Sequence, residues 1–464
     1  MSYQESEKEK LILTLDNNLP LGVDCSNLMG NDLFIEWLIP IVSVLRESDF
    51  WEKERMNEIQ EKRLQILFSY LENHSIFWGK RLQENGIRAS SSSLISALSQ
   101  LPQMGKDDLR SFKSINQKDI SKYITRMTSG TTGIPLSVSL TEKELISNSW
   151  PCFFRSSVIN EFDLPSLLRK KFILRLGANS QQYKLHSKSF LFGDFARLSD
   201  FEVRREIYKE INLLGPMVLW GLPSLILELS KYLKKDGVSF SLRAVYLSGE
   251  ECGKGESKII EEFYGVPLVN WYGGVEANGL GVECPLFLGS GFFHMHWERV
   301  LIEIVNDSGT LVADGEEGNI LITLLDRKTT PLIRYAIGDK GKLMNGKCRC
   351  GRTSPLLKIS GRQQNFIRFT GGDKFSVVQF RRIFSLALGY DKIKQFQIKQ
   401  NSLSDLTLYV VADFCFSQLK KDLLQIALSS ALQNKINISI EQVDEIERLP
   451  NGKFTEFVAF LEVP

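Results

Sequence analysis

Residues 128–136 read Thr128-Ser129-Gly130-Thr131-Thr132-Gly133-Ile134-Pro135-Leu136. Gly130 and Gly133 bracket two threonines, with a serine before and a proline after. Glycine lets backbone approach an anion without a Cβ in the way. Successive N–H groups in turn conformations form a concavity for oxyanions, and the hydroxyls of Thr128, Ser129, Thr131 and Thr132 add donors. The stretch lacks the Gly-Lys-Ser/Thr ending of a Walker A loop. Taken alone, it reads either as a phosphate cradle or as a polar surface turn. The rest of the chain has to decide.

With 464 residues the chain exceeds one ordinary core, so two or more domains are expected. A 43% hydrophobic and 24% charged composition is that of a globular protein. A formal net charge of +2 gives no electrostatic case for nucleic acid. The start, MSYQESEKEK, lacks the apolar segment of a secretory signal. No window reaches the ~18–20 apolar residues of a membrane span. Seven scattered cysteines suit a reducing compartment, so a cytoplasmic location is expected.

Residues 1–50 are unassigned, although Asp32 to Leu45 carries apolar residues at helical spacing, with Pro40 expected to kink or interrupt them. From Trp51 to Gly86 apolar positions again recur at helical spacing. Ser90 to Ser93 reads as a turn or N-cap before Leu94 to Leu101. Beyond the Gly/Thr stretch, short apolar runs at 172–174, 216–220 and 244–247 alternate with amphipathic ones, including a helix from Pro223 to Lys235. That rhythm predicts an α/β fold with a parallel sheet flanked by helices. Leu301 to Val305 and Asn319 to Leu324 read as paired strands. A boundary is expected near Gly361 to Gln364. After it, strand (365–370), helix (377–388), strand (393–399), strand (406–413), helix (418–435) and strand (439–445) suggest a small α+β unit of ferredoxin-like type.

Further motifs follow in order: Leu101 to Phe112, Ser248-Gly249-Glu250, Tyr272-Gly273-Gly274-Val275-Glu276, Arg334-Tyr335-Ala336-Ile337-Gly338-Asp339, Gly361-Arg362 and Leu449-Pro450-Asn451-Gly452-Lys453. Together with the Gly/Thr stretch, this set resembles the adenylate-forming (acyl-activating) superfamily, in its phenylacetate–coenzyme A ligase and CapK-like branch. The resemblance runs from about Trp51 to the C-terminus. It implies a large adenylation domain over 51–361 and a C-terminal lid over 362–464. It also implies ATP and Mg²⁺ as cofactors, a small carboxylic acid as substrate, and coenzyme A, a carrier-protein thiol or an amine as acceptor.

Joining a carboxylate to the α-phosphate of ATP concentrates negative charge, so such a site needs backbone donors, a divalent cation and a fixed positive side chain. By resemblance, Thr128 to Gly133 supply the donors, Glu276 the magnesium-associated carboxylate and Lys453 the ammonium that meets the reacting oxygens. Asp339 matches the aspartate that holds the ribose hydroxyls, a task suited to an acceptor of two hydrogen bonds. Arg362 matches an arginine near ribose and hinge. Ser248 to Glu250 and Asn270 to Gly274, including Tyr272 and Gly273, match the stretches bordering adenine, with Tyr272 as the stacking face. The sequence departs from the pattern in several places. Ile134 and Leu136 flank Pro135 where a lysine is common, Val275 replaces a threonine or serine, Ile337 replaces a threonine, and Gln364 stands at an acidic hinge position.

A second constellation is independent of ATP. Cys348-Arg349-Cys350 is a C-x-C pair, and Cys284 lies near His294 and His296. Thiolates and imidazoles at short spacing are what a tetrahedral structural Zn²⁺ requires. In the resembling branch, a Cys before Pro, a His in the following strand and a C-x-C-G-R knuckle form such a site. The matches are Cys284, His294, Cys348 and Cys350, with His296 as alternate. Two functions stay open: an acyl-adenylate-forming ligase, or a non-catalytic member that binds nucleotide or acyl ligand within a biosynthetic complex. A zinc hydrolase is disfavoured, because no H-E-x-x-H pattern occurs.

Overall fold

The computed structural model describes residues 3–15, 18–24, 28, 30–111, 123–127, 137–156, 165, 173–176, 190–192, 201–215, 218–362, 366–370, 374–377, 380, 393–412, 414, 416–432, 434–447 and 455–459. The chain divides into two compact units, Met1–Ile337 with Gly341–Ile359, and Gly338–Lys340 with Ser360–Pro464.

In chain order the first strands are β1 (Tyr123–Met127), β2 (Ser137–Thr141), β3 (Ile173–Leu176), β4 (Phe190–Phe192), β5 (Val218–Gly221), β6 (Ala244–Ser248) and β7 (Leu268–Gly274). They continue as β8 (Asn278–Glu283), β9 (Phe292–Met295), β10 (Val300–Val305), β11 (Gly318–Leu324), β12 (Tyr335–Met344) and β13 (Leu356–Arg362). Eleven of them form one sheet in the order β10-β11-β12-β13-β9-β8-β7-β6-β5-β3-β4, and β1 pairs with β2 alone. Strands β4, β3, β5, β6 and β7 are parallel, while β7, β8, β9 and β13 are antiparallel neighbours.

The parallel half arises where sequence alternates short apolar runs with amphipathic helices. Helix Pro223–Asp236 starts with proline in its first turn and ends at Gly237, whose φ of 67° is the left-handed stop. Leu225, Ile226, Leu229 and Leu233 on its inner face join Leu219, Val245 and Leu247 in one core. The expected pair at 301–305 and 319–324 is β10 and β11, antiparallel from Val300↔Leu324 to Val305↔Asn319.

The first fifty residues belong to this core. Helix Asp32–Ser48 runs on through Pro40, contrary to the interruption expected there. Its Phe34, Ile35, Trp37, Leu38, Ile41, Val42, Val44 and Leu45 are all buried. An internal proline costs about 3 kcal/mol, whereas burying each such side chain contributes roughly 1.5–3 kcal/mol. Burial wins. These residues pack with Trp150, Phe153 and Phe154 of helix Glu142–Arg155. At Ser90 to Ser93, read as a turn or N-cap, the turn forms, with the Ser91 N–H donating to the Arg88 carbonyl at 2.8 Å. Ser93 makes no side-chain cap, and the Glu61 carboxylate accepts instead from the Leu94 and Ile95 N–H groups. A negative charge at a helix start serves the same orphan donors.

In the second unit, the expected strand at 365–370 becomes β14 (Phe366–Arg368), which forms a hairpin with β15 (Lys374–Ser376). The helix expected at 377–388 falls largely outside the described residues. Strands β16 (Ile393–Gln400), β17 (Asp405–Ala412), β18 (Asn437–Gln442) and β19 (Phe457–Ala459) form a sheet ordered β18-β17-β16-β19. Helix Gln418–Ala431 connects β17 to its parallel neighbour β18 and buries Leu424 and Leu428 on their core. A helical crossover is what a parallel pair requires. Among the described residues, no helix is long and apolar enough to cross a membrane.

Candidate nucleotide site and metal knuckle

Strand β7 ends in Gly273-Gly274, and β8 returns from Asn278, with Gly273 opposite Gly279 and Gly274 opposite Asn278. The turn closes because both glycines lack side chains. A Cβ on Gly273 would lie 2.0 Å from the Asn278 carbonyl oxygen, and one on Gly274 would lie 2.9 Å from Glu276 Oε2. The Glu276 carboxylate therefore folds back over the turn, and Glu276 is only 9% exposed. Two fully buried arginines hold the turn. Arg299 pairs with Asp326 at 2.7 Å and donates to the carbonyls of Ala277 and Gly279. Arg327 Nη1 donates to the Glu276 carbonyl at 3.2 Å. Gly273→Ala is expected to open this turn and cost roughly 1–3 kcal/mol, which urea denaturation would register as a lowered midpoint.

The Gly/Thr stretch itself, Thr128 to Leu136, lies outside the described residues. Its flanks pair as a hairpin, with Met127 opposite Ser137. From β1, Arg126 donates to the Asn278 side chain, so the hairpin end is tied to the Glu276 turn. Beyond β2, Thr141 and Glu144 form a capping box on helix Glu142–Arg155. The Glu144 carboxylate also accepts from the Lys328 N–H at 2.8 Å, the Thr329 N–H at 2.9 Å and the Thr329 hydroxyl at 2.5 Å. The Thr330 hydroxyl donates to the Ser139 carbonyl at 2.8 Å. Hairpin, helix and the 326–330 segment thus share one anchor.

The adenine-bordering candidates cap the parallel strands at their C-terminal ends, where open α/β sheets bind ligands. Ser248 Oγ accepts from Trp220 Nε1 at 2.9 Å. Gly249 has φ 88°, and Glu250 accepts from the Ser224 N–H at 3.1 Å at the start of helix Pro223–Asp236. Glu250 thereby serves a helix N-terminus. The Tyr272 ring is half-buried, tilted against Phe293 at 5.5 Å. Segment Leu101–Ser111 is fixed by Met104, whose N–H and carbonyl bond Arg334 and Ala336 at 2.9 Å each. Arg334 adopts φ 49° and pairs with Glu303 at 3.0 and 3.1 Å. Asp339 is buried on β12 and groups with the second unit, whereas the other described candidates up to Cys350 lie in the first. Arg362 ends β13. Lys453 lies outside the described residues.

The metal candidates converge. Ligand atoms of Cys284, His294, Cys348 and Cys350 all lie within 4.8 Å of one another. Cys284 Sγ is 3.9 Å from Cys348 Sγ, and Cys350 Sγ is 3.2 Å from His294 Nε2. A tetrahedral zinc with 2.3 Å bonds sets sulfurs ~3.8 Å apart. Nδ1 of His294 lies 3.2 Å from the Ser354 carbonyl. A donated N–H there fixes the ring and leaves Nε2 as the lone pair facing the sulfurs. Burial lowers the His294 pKa and keeps the ring neutral. Burial also pushes the Cys284 thiol up to about 12. At Cys350 burial acts upward, but Arg352 donors outweigh it and the net shift is downward. His296, the alternate, is directed elsewhere. Strand β9 stops at Met295, and His296 Nε2 lies 3.2 Å from Ser156 Oγ.

Knuckle and N-terminal segment meet at Asp49. Its carboxylate pairs with the buried Arg155 at 2.6 Å and Arg352 at 3.3 Å, and its carbonyl accepts from the Thr353 N–H at 2.8 Å. Arg155 also pairs with the buried Glu298. Breaking a buried ion pair costs about 3–5 kcal/mol because one charge is stranded. Asp49→Ala is therefore expected to lower the urea midpoint by more than Asp307→Ala, a change at an exposed turn.

Comparisons with known proteins agree with this arrangement. The CapK C-terminal domain family matches residues 370–459. Phenylacetate-coenzyme A ligase of Thermus thermophilus is 26% identical over 336 residues, covering 70% of this chain and 74% of its own. Protein CapK of Staphylococcus aureus is 23% identical over 419 residues, covering 85% and 87%. Over most of its length the chain is thus similar to phenylacetate-coenzyme A ligases and to protein CapK, the branch its motifs resemble. The solved 2-hydroxyisobutyryl-CoA ligase, in a postadenylation state with an acyl-AMP, superposes with a TM-score of 0.69 at 16% identity, over 96% of this chain and 94% of that one. That likeness shows the fold alone: a mixed α/β architecture with a large N-terminal and a small C-terminal part.

Several residues of this candidate site escape sequence reading. Arg126, Arg299, Arg327 and Asp49 gain their places only through long-range contacts. Glu144 carried a local signal, since Thr141-x-x-Glu144 is a capping-box pattern.

Proposed function

We propose that the protein activates a small carboxylic acid as an acyl-adenylate with ATP and Mg²⁺, then transfers the acyl group to coenzyme A, a carrier-protein thiol or an amine. The observation that carries this reading is the tie between Arg126 and Asn278, which sets the end of the β1–β2 hairpin beside the turn bearing Glu276. Relatives named phenylacetate-coenzyme A ligase support coenzyme A as acceptor.

Glu276 would hold Mg²⁺, which neutralises phosphate charge when bound. Thr128 to Gly133 donate to phosphate oxygens, and Ser248 to Glu250, Tyr272 and Gly273 border the base. Asp339 accepts from the ribose hydroxyls, with Arg362 beside them. Lys453 meets the reacting oxygens from a lid over 362–464, while residues 1–361 carry the adenylation domain and its N-terminal segment. Cys284, His294, Cys348 and Cys350 would hold a structural Zn²⁺. The protein works in the cytoplasm.

ATP–pyrophosphate exchange across a panel of carboxylic acids tests the reading. Exchange that depends on one acid class supports it, and no exchange with any acid counts against it. Ile134, Leu136 and Val275 favour a second reading, a non-catalytic nucleotide-binding member of a biosynthetic complex. Calorimetry separates the two: ATP binding without pyrophosphate release supports the second.

A further inference from the structure

Segment 294–299 touches three places in quick succession. His294 supplies a knuckle ligand atom, and Glu298 pairs with Arg155. Arg299 pairs with Asp326 at 2.7 Å and donates to the carbonyls of Ala277 and Gly279 in the Glu276 turn. Between them, Trp297 Nε1 donates to the Ser48 carbonyl at 3.1 Å, next to Asp49. The backbone is closed on itself and on β8. The His296 carbonyl accepts from the Arg299 N–H at 3.0 Å and the Val300 N–H at 3.1 Å, and the His296 N–H donates to the Leu280 carbonyl at 2.8 Å. A segment pinned this way shifts as one piece.

Buried ion pairs extend it at both ends. Toward the knuckle, Arg155 pairs with Asp49 at 2.6 Å, Asp49 with Arg352 at 3.3 Å, and Arg352 Nη1 lies 3.6 Å from Cys350 Sγ. Toward the turn, Asp326 is followed by Arg327, which donates to the Glu276 carbonyl at 3.2 Å. Strand β8 is a second connection, running from Asn278 to Glu283 with Cys284 next. The side chains of Arg155, Glu298, Arg299 and Asp326 are each 1% exposed. Burial this deep is a poor source of stability, because desolvation offsets the attraction and an apolar set of similar volume does as well. What such pairs supply is direction. Each charge tolerates few placements of its partner, since a misplaced one is stranded without water.

We propose that segment 294–299 couples the knuckle to the Glu276 turn, so that metal held by Cys284, His294, Cys348 and Cys350 sets where the Glu276 carboxylate stands, with Glu298 and Arg299 as the positioning residues. The coupling rests on the zinc reading for the metal, and on the adenylation reading only for the task of Glu276. Knuckle and turn are then two distinct sites joined by one buried element. Such coupling is reciprocal, so Mg²⁺ and nucleotide at the turn slow zinc loss from the knuckle.

The test compares the full chain, zinc-loaded and stripped by a chelator that is then removed, for wild type, Glu298→Gln, Arg299→Lys and Arg299→Met. Calorimetry gives the Mg²⁺ concentration at half-maximal ATP binding, and hydrogen exchange read by mass spectrometry follows the amides of 273–281. Stripping the wild type should raise the Mg²⁺ requirement about 5- to 50-fold and speed exchange of those amides, with ATP affinity at saturating Mg²⁺ little changed. Zinc-loaded Glu298→Gln and Arg299→Met should resemble the stripped wild type, Arg299→Lys should recover part, and stripping each should add less than it does in wild type. Where a stripped chain unfolds, zinc-loaded Glu298→Gln carries the comparison. A folded, stripped wild type with unchanged Mg²⁺ requirement and unchanged exchange at 273–281 overturns the coupling. Variants that lose stability but keep the wild-type Mg²⁺ requirement, or whose effects simply multiply with stripping, overturn the positioning role. A chain that carries no zinc overturns the whole. Zinc-controlled exchange at 273–281 without pyrophosphate exchange for any acid upholds the coupling and removes the adenylation reading.

Discussion

Lys453→Ala lowers acid-dependent ATP–pyrophosphate exchange by about 10²–10³-fold, the range seen when one preorganised donor to a developing charge is removed. Attack of a carboxylate on the α-phosphate brings two anionic groups together, so the barrier is dominated by charge. A single ammonium aimed at both partners is worth most where water is excluded. Asn451-Gly452 favours a turn, which suits a lysine that must reach. It precedes β19, the edge strand that pairs in parallel with β16 from Ile398↔Phe457 to Gln400↔Ala459. In the sequence the lysine precedes that strand by four residues. ATP affinity should change far less than exchange rate, because the contact strengthens as charge develops. Exchange at wild-type rate in a folded Lys453→Ala chain would remove the lysine from the mechanism and leave the nucleotide site standing.

Cys348→Ser or Cys284→Ser is expected to lose bound zinc and to unfold at markedly lower urea. Replacing one of four ligands in a closed structural site removes folding free energy outright. The loss spreads beyond the knuckle, since Thr353 and Ser354 bond the Asp49 carbonyl and His294 sits on β9 between β8 and β13. Elemental analysis of the purified chain should give about one zinc per chain, falling in the variants, and His296→Gln should keep it. Because Cys284 holds its proton up to about 12 without metal, loading releases a proton. Zinc affinity should therefore rise with pH and fall on acidification. A chain that carries no zinc, and whose melting is indifferent to chelator, would reduce the four residues to a hydrogen-bonded cluster.

Much of the parallel half was legible along the chain. The described residues of the runs at 172–174, 216–220 and 244–247 lie in β3, β5 and β6, and the helix expected from Pro223 is Pro223–Asp236. Such elements are written by local period and by their stop signals, Pro223 at the start and Gly237 at the end. Helix Asp32–Ser48 misled for a related reason. A proline is a local signal, and the burial that overrides it comes from Trp150 and Phe154, more than a hundred positions away.

By itself the sequence determined the order of motifs and the chemistry of their side chains, and its resemblance put forward Cys284, Cys348 and Cys350 with either His294 or His296 as ligands, because residue type and spacing are local properties. Only the tertiary structure decided which of His294 and His296 faces the sulfurs, since that depends on where β9 ends. It alone made Asp49, in the unassigned segment, the fastening between helix Asp32–Ser48 and the Cys348–Cys350 knuckle. It also set the buried Arg327 against the Glu276 carbonyl, a contact made by chain segments that meet only on folding.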